Sequence, residues 1–177
     1  MSCTTFFSRF RRDRRDPRAN GFTLMELLIV IAIILILMLM AIPTVGTMRK
    51  YANETSAKNS MQKIAQAELQ YDSSFPANGF ACSMQALGGD PNSGPPTATA
   101  AQILQSDLAS GIKAGYQFNI TNCQKVTANG TDRFTTFQVT AVPLTVGKTG
   151  DHGFCMDQSG IIKQDPAGGN NCTQPIQ

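Results

Sequence analysis

The stretch GFTLMELLIVIAIILILMLMAIP, residues 21–43, decides how the chain is organised. From Leu27 to Ile42 it carries no polar side chain, and counted from Phe22 it offers 21 residues, about 32 Å as an α-helix. That length matches the hydrocarbon core of a bilayer. A cleavable secretory signal shares the basic start and apolar body, but this run is too long for an ordinary signal core and Ala41-Ile42-Pro43-Thr44-Val45 contains no A-x-A site, so the run is expected to be retained. A twin-arginine export signal, the other reading of Arg11-Arg12 or Arg14-Arg15, is disfavoured by the interleaved acidic residues and by the hydrophobicity of the run.

Working outward toward the N-terminus, residues 1–21 hold six of the chain's 15 Lys and Arg (Arg9, Arg11, Arg12, Arg14, Arg15 and Arg18) and two of its 12 Asp and Glu (Asp13 and Asp16). No comparable basic cluster follows the run, so the positive-inside rule places residues 1–21 in the cytoplasm and the remainder across the membrane. The overall charge of +3 is therefore misleading. Beyond residue 21, nine basic side chains face ten acidic ones, a net −1, and generic nucleic-acid binding is not expected.

One charge interrupts the apolar helix. A carboxylate such as Glu26 costs roughly 2.5–3.5 kcal/mol on insertion scales. Two readings offset that cost: snorkelling to the cytoplasmic interface, or pairing with a cation supplied by another subunit, such as a free α-amino group, since its own span offers none.

Gly21-Phe22-Thr23-Leu24-Met25-Glu26, followed by Leu27-Leu28-Ile29-Val30-Ile31-Ala32, resembles the type III signal of type IV pilins and type II secretion pseudopilins. The likeness extends over roughly residues 21–75. It implies that a membrane prepilin peptidase cuts after Gly21 and N-methylates Phe22, and that Glu26 pairs with the amine of a neighbouring subunit's first residue, setting axial register. It also implies a precursor held in the lipid bilayer of the inner membrane by its first helix, an inner-membrane assembly platform and identical subunits stacked in a helical filament, with the mature form in an extracellular pilus or a periplasmic pseudopilus. Members usually carry glycine where this chain has Leu35, and small residues at Met38 and Leu39. Pro43 matches the family's proline; lacking an N–H and clashing with the preceding turn, it is expected to kink the helix at about residues 39–43.

Working outward in the other direction, residues 44–75 have apolar positions Val45, Met48, Ala52, Ala57, Met61, Ile64, Ala65 and Leu69 at three- and four-residue steps, an amphipathic helix that Phe75-Pro76 ends. Residues 76–113 read as a variable loop rich in Gly, Pro, Ser and Ala, with a short helix over residues 98–109 capped by Thr97 and ended by Gly111. Strand patterns follow at residues 115–120, 134–142, 153–157 and 160–164, the last two joined by a turn at Asp157-Gln158-Ser159-Gly160. A long helix on a three- or four-stranded antiparallel sheet is an α+β fold, in agreement with the ladle shape the resemblance implies. The segments are thus a leader (1–21), a membrane or filament-core helix (22–43), an amphipathic helix (44–75), a variable loop (76–113), and a sheet with a C-terminal cysteine loop (114–177).

Cys3 lies in the leader; Cys82, Cys123, Cys155 and Cys172 lie beyond the run, an even number on one side of a membrane. Disulfides are the favoured reading over zinc, because no pair has CxxC spacing and the only histidine is His152. Three connectivities are open. Cys155–Cys172 resembles the C-terminal disulfide loop of many pilins, and Cys82–Cys123 is then the complement. Asp151, Asp157 and Asp165 are calcium candidates by analogy with secretion pseudopilins, although their spacing is not that of an EF-hand. No catalytic motif and no cofactor is indicated. The functional reading is a structural subunit of a type IV pilus serving adhesion, motility or DNA uptake. The alternatives are a major pseudopilin of a type II secretion system, or a minor pilin that displays a surface-binding module.

Overall fold

A computed structural model describes residues 21–128 and 130–176, with the side chains at positions 40–44, 128 and 131 outside that description. The expected leader and Cys3 lie outside it. The chain divides into two compact units, residues 1–41 and 42–177.

Helix α1 runs Leu24–Ser74. In the first unit, every described side chain from Phe22 to Leu39 is exposed, on all faces of the helix. Among the described residues, no helix is long and apolar enough to cross a membrane. The apolar stretch with described side chains stops at Leu39, so the expected span 22–43 and the kink expected at Pro43 both reach into positions outside the description.

In the second unit α1 buries a stripe formed by Ala57, Ser60, Met61, Ile64, Ala67, Glu68 and Tyr71. The helix stops where Ser73 and Ser74 turn their hydroxyls onto the Gln70 carbonyl, two residues ahead of Pro76. The expected stripe is therefore partly displaced: Val45, Met48 and Leu69 are exposed, while Ser60, Glu68 and Tyr71 lie inside.

Among the described residues, two short helices and eight strands complete the α+β unit. Helices α2 (Met84–Leu87) and α3 (Ser106–Ala109) precede β1 (Ile112–Lys113) and β2 (Tyr116–Thr121). Then come β3 (Lys125–Ala128), β4 (Thr131–Phe134), β5 (Gln138–Pro143), β6 (Gly153–Asp157), β7 (Ile162–Asp165) and β8 (Gln174–Pro175). The main sheet is antiparallel in the order β1-β2-β5-β6-β7-β8, and β3-β4 forms a separate hairpin. Phe118 faces Ala141 across β2-β5, and Ala141 faces Phe154 across β5-β6. These side chains, with Tyr116, Val139, Met156 and Phe137, join the α1 stripe in one core.

The sheet is wider than the expected three or four strands. The expected strand 134–142 divides because Phe134 pairs with residues 78–80 while Phe137 turns inward against Phe80, ring centroids 4.8 Å apart. The expected helix over residues 98–109 shrinks to Ser106–Ala109. The N–H groups of Ala101, Gln102, Ile103 and Leu104 are spent instead on the carbonyls of Ala86, Gly88 and Leu87, which holds that stretch extended over α2. Thr97 caps nothing; it exchanges backbone bonds with Ala100. The expected turn into β7 is present: the Gly160 N–H donates to the Asp157 carbonyl at 3.0 Å, with Gly160 at φ +76°.

Candidate functional site

Helix α1 opens with a capping box. Thr23 precedes the first helical residue, and Glu26 lies three positions on. The Glu26 Oε2 accepts from the Thr23 N–H and the Thr23 Oγ1, each at 2.9 Å, while the Glu26 N–H donates to the Thr23 Oγ1 at 3.2 Å. The box satisfies amide donors that the first turn of any helix leaves unpaired, and puts a negative charge at the positive end of the helix dipole. Glu26 thus has a local reason to persist that neither the snorkelling nor the intersubunit reading invoked. Both remain compatible with it, because a carboxylate has lone pairs beyond those Thr23 occupies and Glu26 is exposed. Gly21 and Phe22 lie directly before the box, with Phe22 85% exposed.

Around this end the apolar side chains Leu24, Met25, Leu27 and Leu28 are all more than half exposed. An apolar helix uncovered on every side is unstable in water and demands either lipid or other apolar helices around it. That is the physical content of the site: among the described residues 22–39, a sticky rod with one charge, Glu26, in its first turn.

In the second unit the cysteines pair as Cys82–Cys123 and Cys155–Cys172, with Cα separations of 6.1 and 5.9 Å. The first ties the connection after α1 to the start of the β3-β4 hairpin; the second closes the tail over β6. Asp151, Asp157 and Asp165 do not converge. Asp151 pairs with Lys50 at 2.8 Å, Asp157 folds onto Ser159, which holds its carboxyl below the usual range, and Asp165 accepts from the Ala167 and Asn171 N–H groups. Among the described residues, no group of three or more His, Cys, Asp or Glu is placed to hold a metal ion.

Two carboxylates that the sequence reading passed over organise this unit. Glu54 Oε1 accepts from the Asp151 N–H at 2.8 Å and the His152 N–H at 3.2 Å, and lies 3.1 Å from His152 Nδ1. Beside it the Tyr116 hydroxyl donates to the His152 carbonyl at 2.9 Å; burial, then the charges of Glu54 and Asp151, push its pKa up and keep it a donor. Glu68 is fully buried on α1, and its Oε2 accepts the Ala81 N–H at 2.6 Å. Its position between Ile64 and Tyr71 on the buried stripe was the available signal, since a carboxylate in register with apolar neighbours at i−4 and i+3 must enter the core with them.

Comparison with curated proteins and with solved structures gives no match. Residues 16–42 match the family model of the prokaryotic N-terminal methylation motif, so the chain carries the prepilin signal of type IV pilins and pseudopilins, which implies processing by prepilin peptidase, a membrane-anchored precursor, and assembly into an extracellular or periplasmic filament.

Proposed function

We propose that the chain is a structural subunit of a type IV pilus, cut after Gly21, N-methylated on Phe22 and stacked with identical copies by an inner-membrane platform. The observation that carries this reading is the methylation motif at residues 16–42 leading into a helix whose described side chains from Phe22 to Leu39 are all exposed. Before assembly the bilayer covers that helix; in the filament, neighbouring helices do. Glu26 supplies the one polar landmark on it, and pairing with the Phe22 amine of the adjacent copy would distinguish the correct axial register from a slid one on an otherwise uniform apolar surface. A structural subunit needs no catalytic group, and the class to which the signal belongs is one of filament-forming proteins rather than enzymes.

A pseudopilin of a type II secretion system is the second reading. Its supporting observation is the pair of disulfides, which fit the oxidising periplasm as well as the cell exterior, while the loop at residues 88–96 supports the pilus reading.

The test compares wild type with Glu26→Ala in membranes and in sheared filaments. Intact mass should place the mature N-terminus at methylated Phe22 in both. The variant should reach wild-type levels in the membrane and fall at least tenfold in filaments. Equal filament yield at equal membrane level would remove Glu26 from assembly and leave it the helix cap alone.

A further inference from the structure

Glu68 is the buried group that filament assembly does not use. It is wholly shielded from solvent, and one of its oxygens is committed: Oε2 takes the Ala81 N–H. The other, Oε1, is a buried side-chain atom without any hydrogen-bond partner. An ionised carboxylate in that position would leave half its charge facing apolar surroundings, whereas a neutral carboxylic acid accepts the Ala81 bond without that penalty.

The loop that Glu68 holds is a structural junction. Residues 78–80 pair with Phe134 of β4, Cys82 is bonded to Cys123 with its own backbone at φ +53°, and Ser83 caps α2. Together with Tyr71 at the end of α1, Phe80, Ala81, Ala86, Lys125 and Phe134 line a surface hollow of about 420 Å³. The hydrogen bond from α1 to this loop is the one that the Glu68 carboxyl accepts from the Ala81 N–H, alongside the packing of Phe80 and Ala81 on the core.

We propose that Glu68 is a proton-operated latch: as a neutral acid it seats the loop at residues 78–83, and with it one wall of that hollow, on α1, and on ionisation it lets the loop lift.

The charged surroundings leave the latch to act on its own. On α1 the titratable neighbour one turn on is Tyr71, whose hydroxyl donates to the Ala98 carbonyl and whose pKa is raised by burial and then by the charge of Glu68. The loop contributes amides and an oxidised cysteine. Across the hydrophobic core the described titratable side chains are the tyrosines Tyr71 and Tyr116, and Asp165, the other buried carboxylate, sits on β7 and is held by the Ala167 and Asn171 amides. On the hairpin, Lys125 pairs with Asp132, and Arg133 reaches back to Asp72 at 2.8 Å, so both hairpin cations are already committed to other carboxylates. Burial accordingly pushes its pKa up to about 7, against the opposing bond from the Ala81 N–H.

The sign follows from linkage. Seated, Glu68 ionises near 7; with the loop lifted it ionises in the ordinary range near 4.5. Lifting therefore releases a proton between those values, so the stability of the seated loop is fully present below the lower pKa and is lost as pH rises through the higher one.

Hydrogen exchange of the loop amides, measured on the full chain in detergent and corrected for intrinsic rates, reads this directly. From about pH 5 to about pH 7.5 the opening equilibrium of the segment around Ala81 and Cys82 should rise on the order of fiftyfold in wild type and then level off. In Glu68→Gln, which keeps the acceptor but cannot ionise there, it should be flat. Glu68→Met provides a second reference without a titrating group if the glutamine variant folds poorly. Protection in β5 and β6 serves as the internal control. A flat wild-type profile, the same slope in either variant, or a parallel change throughout the sheet would overturn the latch.

Discussion

Replacing Glu54 by alanine should destabilise the second unit by about 3 kcal/mol. Glu54 is the acceptor through which α1 holds the segment leading into β6: one oxygen serves the Asp151 N–H at 2.8 Å and the His152 N–H at 3.2 Å, with its side chain only 13% exposed. Hydrogen bonds to a charged acceptor contribute about 1.5–3 kcal/mol each, and alanine orphans both amides at once; partial access of water to the gap keeps the total near the lower bound of the sum. For a unit of this size that corresponds to a drop of roughly 10 °C in Tm. Glu54→Gln retains an acceptor and should cost about 1 kcal/mol. Lys50→Ala removes a half-exposed ion pair with Asp151 and should cost under ~1 kcal/mol. Urea unfolding followed by near-ultraviolet circular dichroism reports all three, because Tyr116 lies in the same network. A loss below ~1 kcal/mol for Glu54→Ala would refute the reasoning, and a glutamine variant as damaged as the alanine one would show that charge rather than acceptor geometry matters.

Two further outcomes follow from the sheet. Removing the tail disulfide by changing Cys155 and Cys172 together to serine should cost about 3 kcal/mol, the chain-entropy value for a loop of this size, and should leave β2 and β5 protected in hydrogen exchange. Gly153→Ala should prevent stable folding of the second unit, a loss above ~4 kcal/mol, because an added Cβ would stand 1.7 Å from the Gly169 carbonyl oxygen, a backbone atom of the loop that covers β6; soluble yield and melting temperature check it.

The α+β class, the end of α1 at the serines before Pro76 and the strand at Gly153–Asp157 were all legible in the residues, because each depends on local patterning. The cysteine pairs were recoverable only with the help of a family likeness. The division of residues 134–142 was not, since it depends on Phe134 finding backbone partners more than fifty residues earlier in the chain. The same limit applies to Glu68 and Glu54. Periodicity locates them on a helix face, but their roles come from the amides of Ala81, Asp151 and His152, which only the tertiary fold delivers. At the N-terminus, the capping box of Thr23 and Glu26 is local, three positions apart, and so belongs to what the residues alone specify.

The main sheet ends on both sides in strands of two residues, β1 and β8, and β8 contains Pro175. A proline has no amide proton to offer a newcomer, and two residues are too few to template a ladder. In the filament proposed above, subunits set side by side are therefore denied the simplest route to amyloid-like zippering through the edges of the main sheet, and polymerisation is left to the apolar helix.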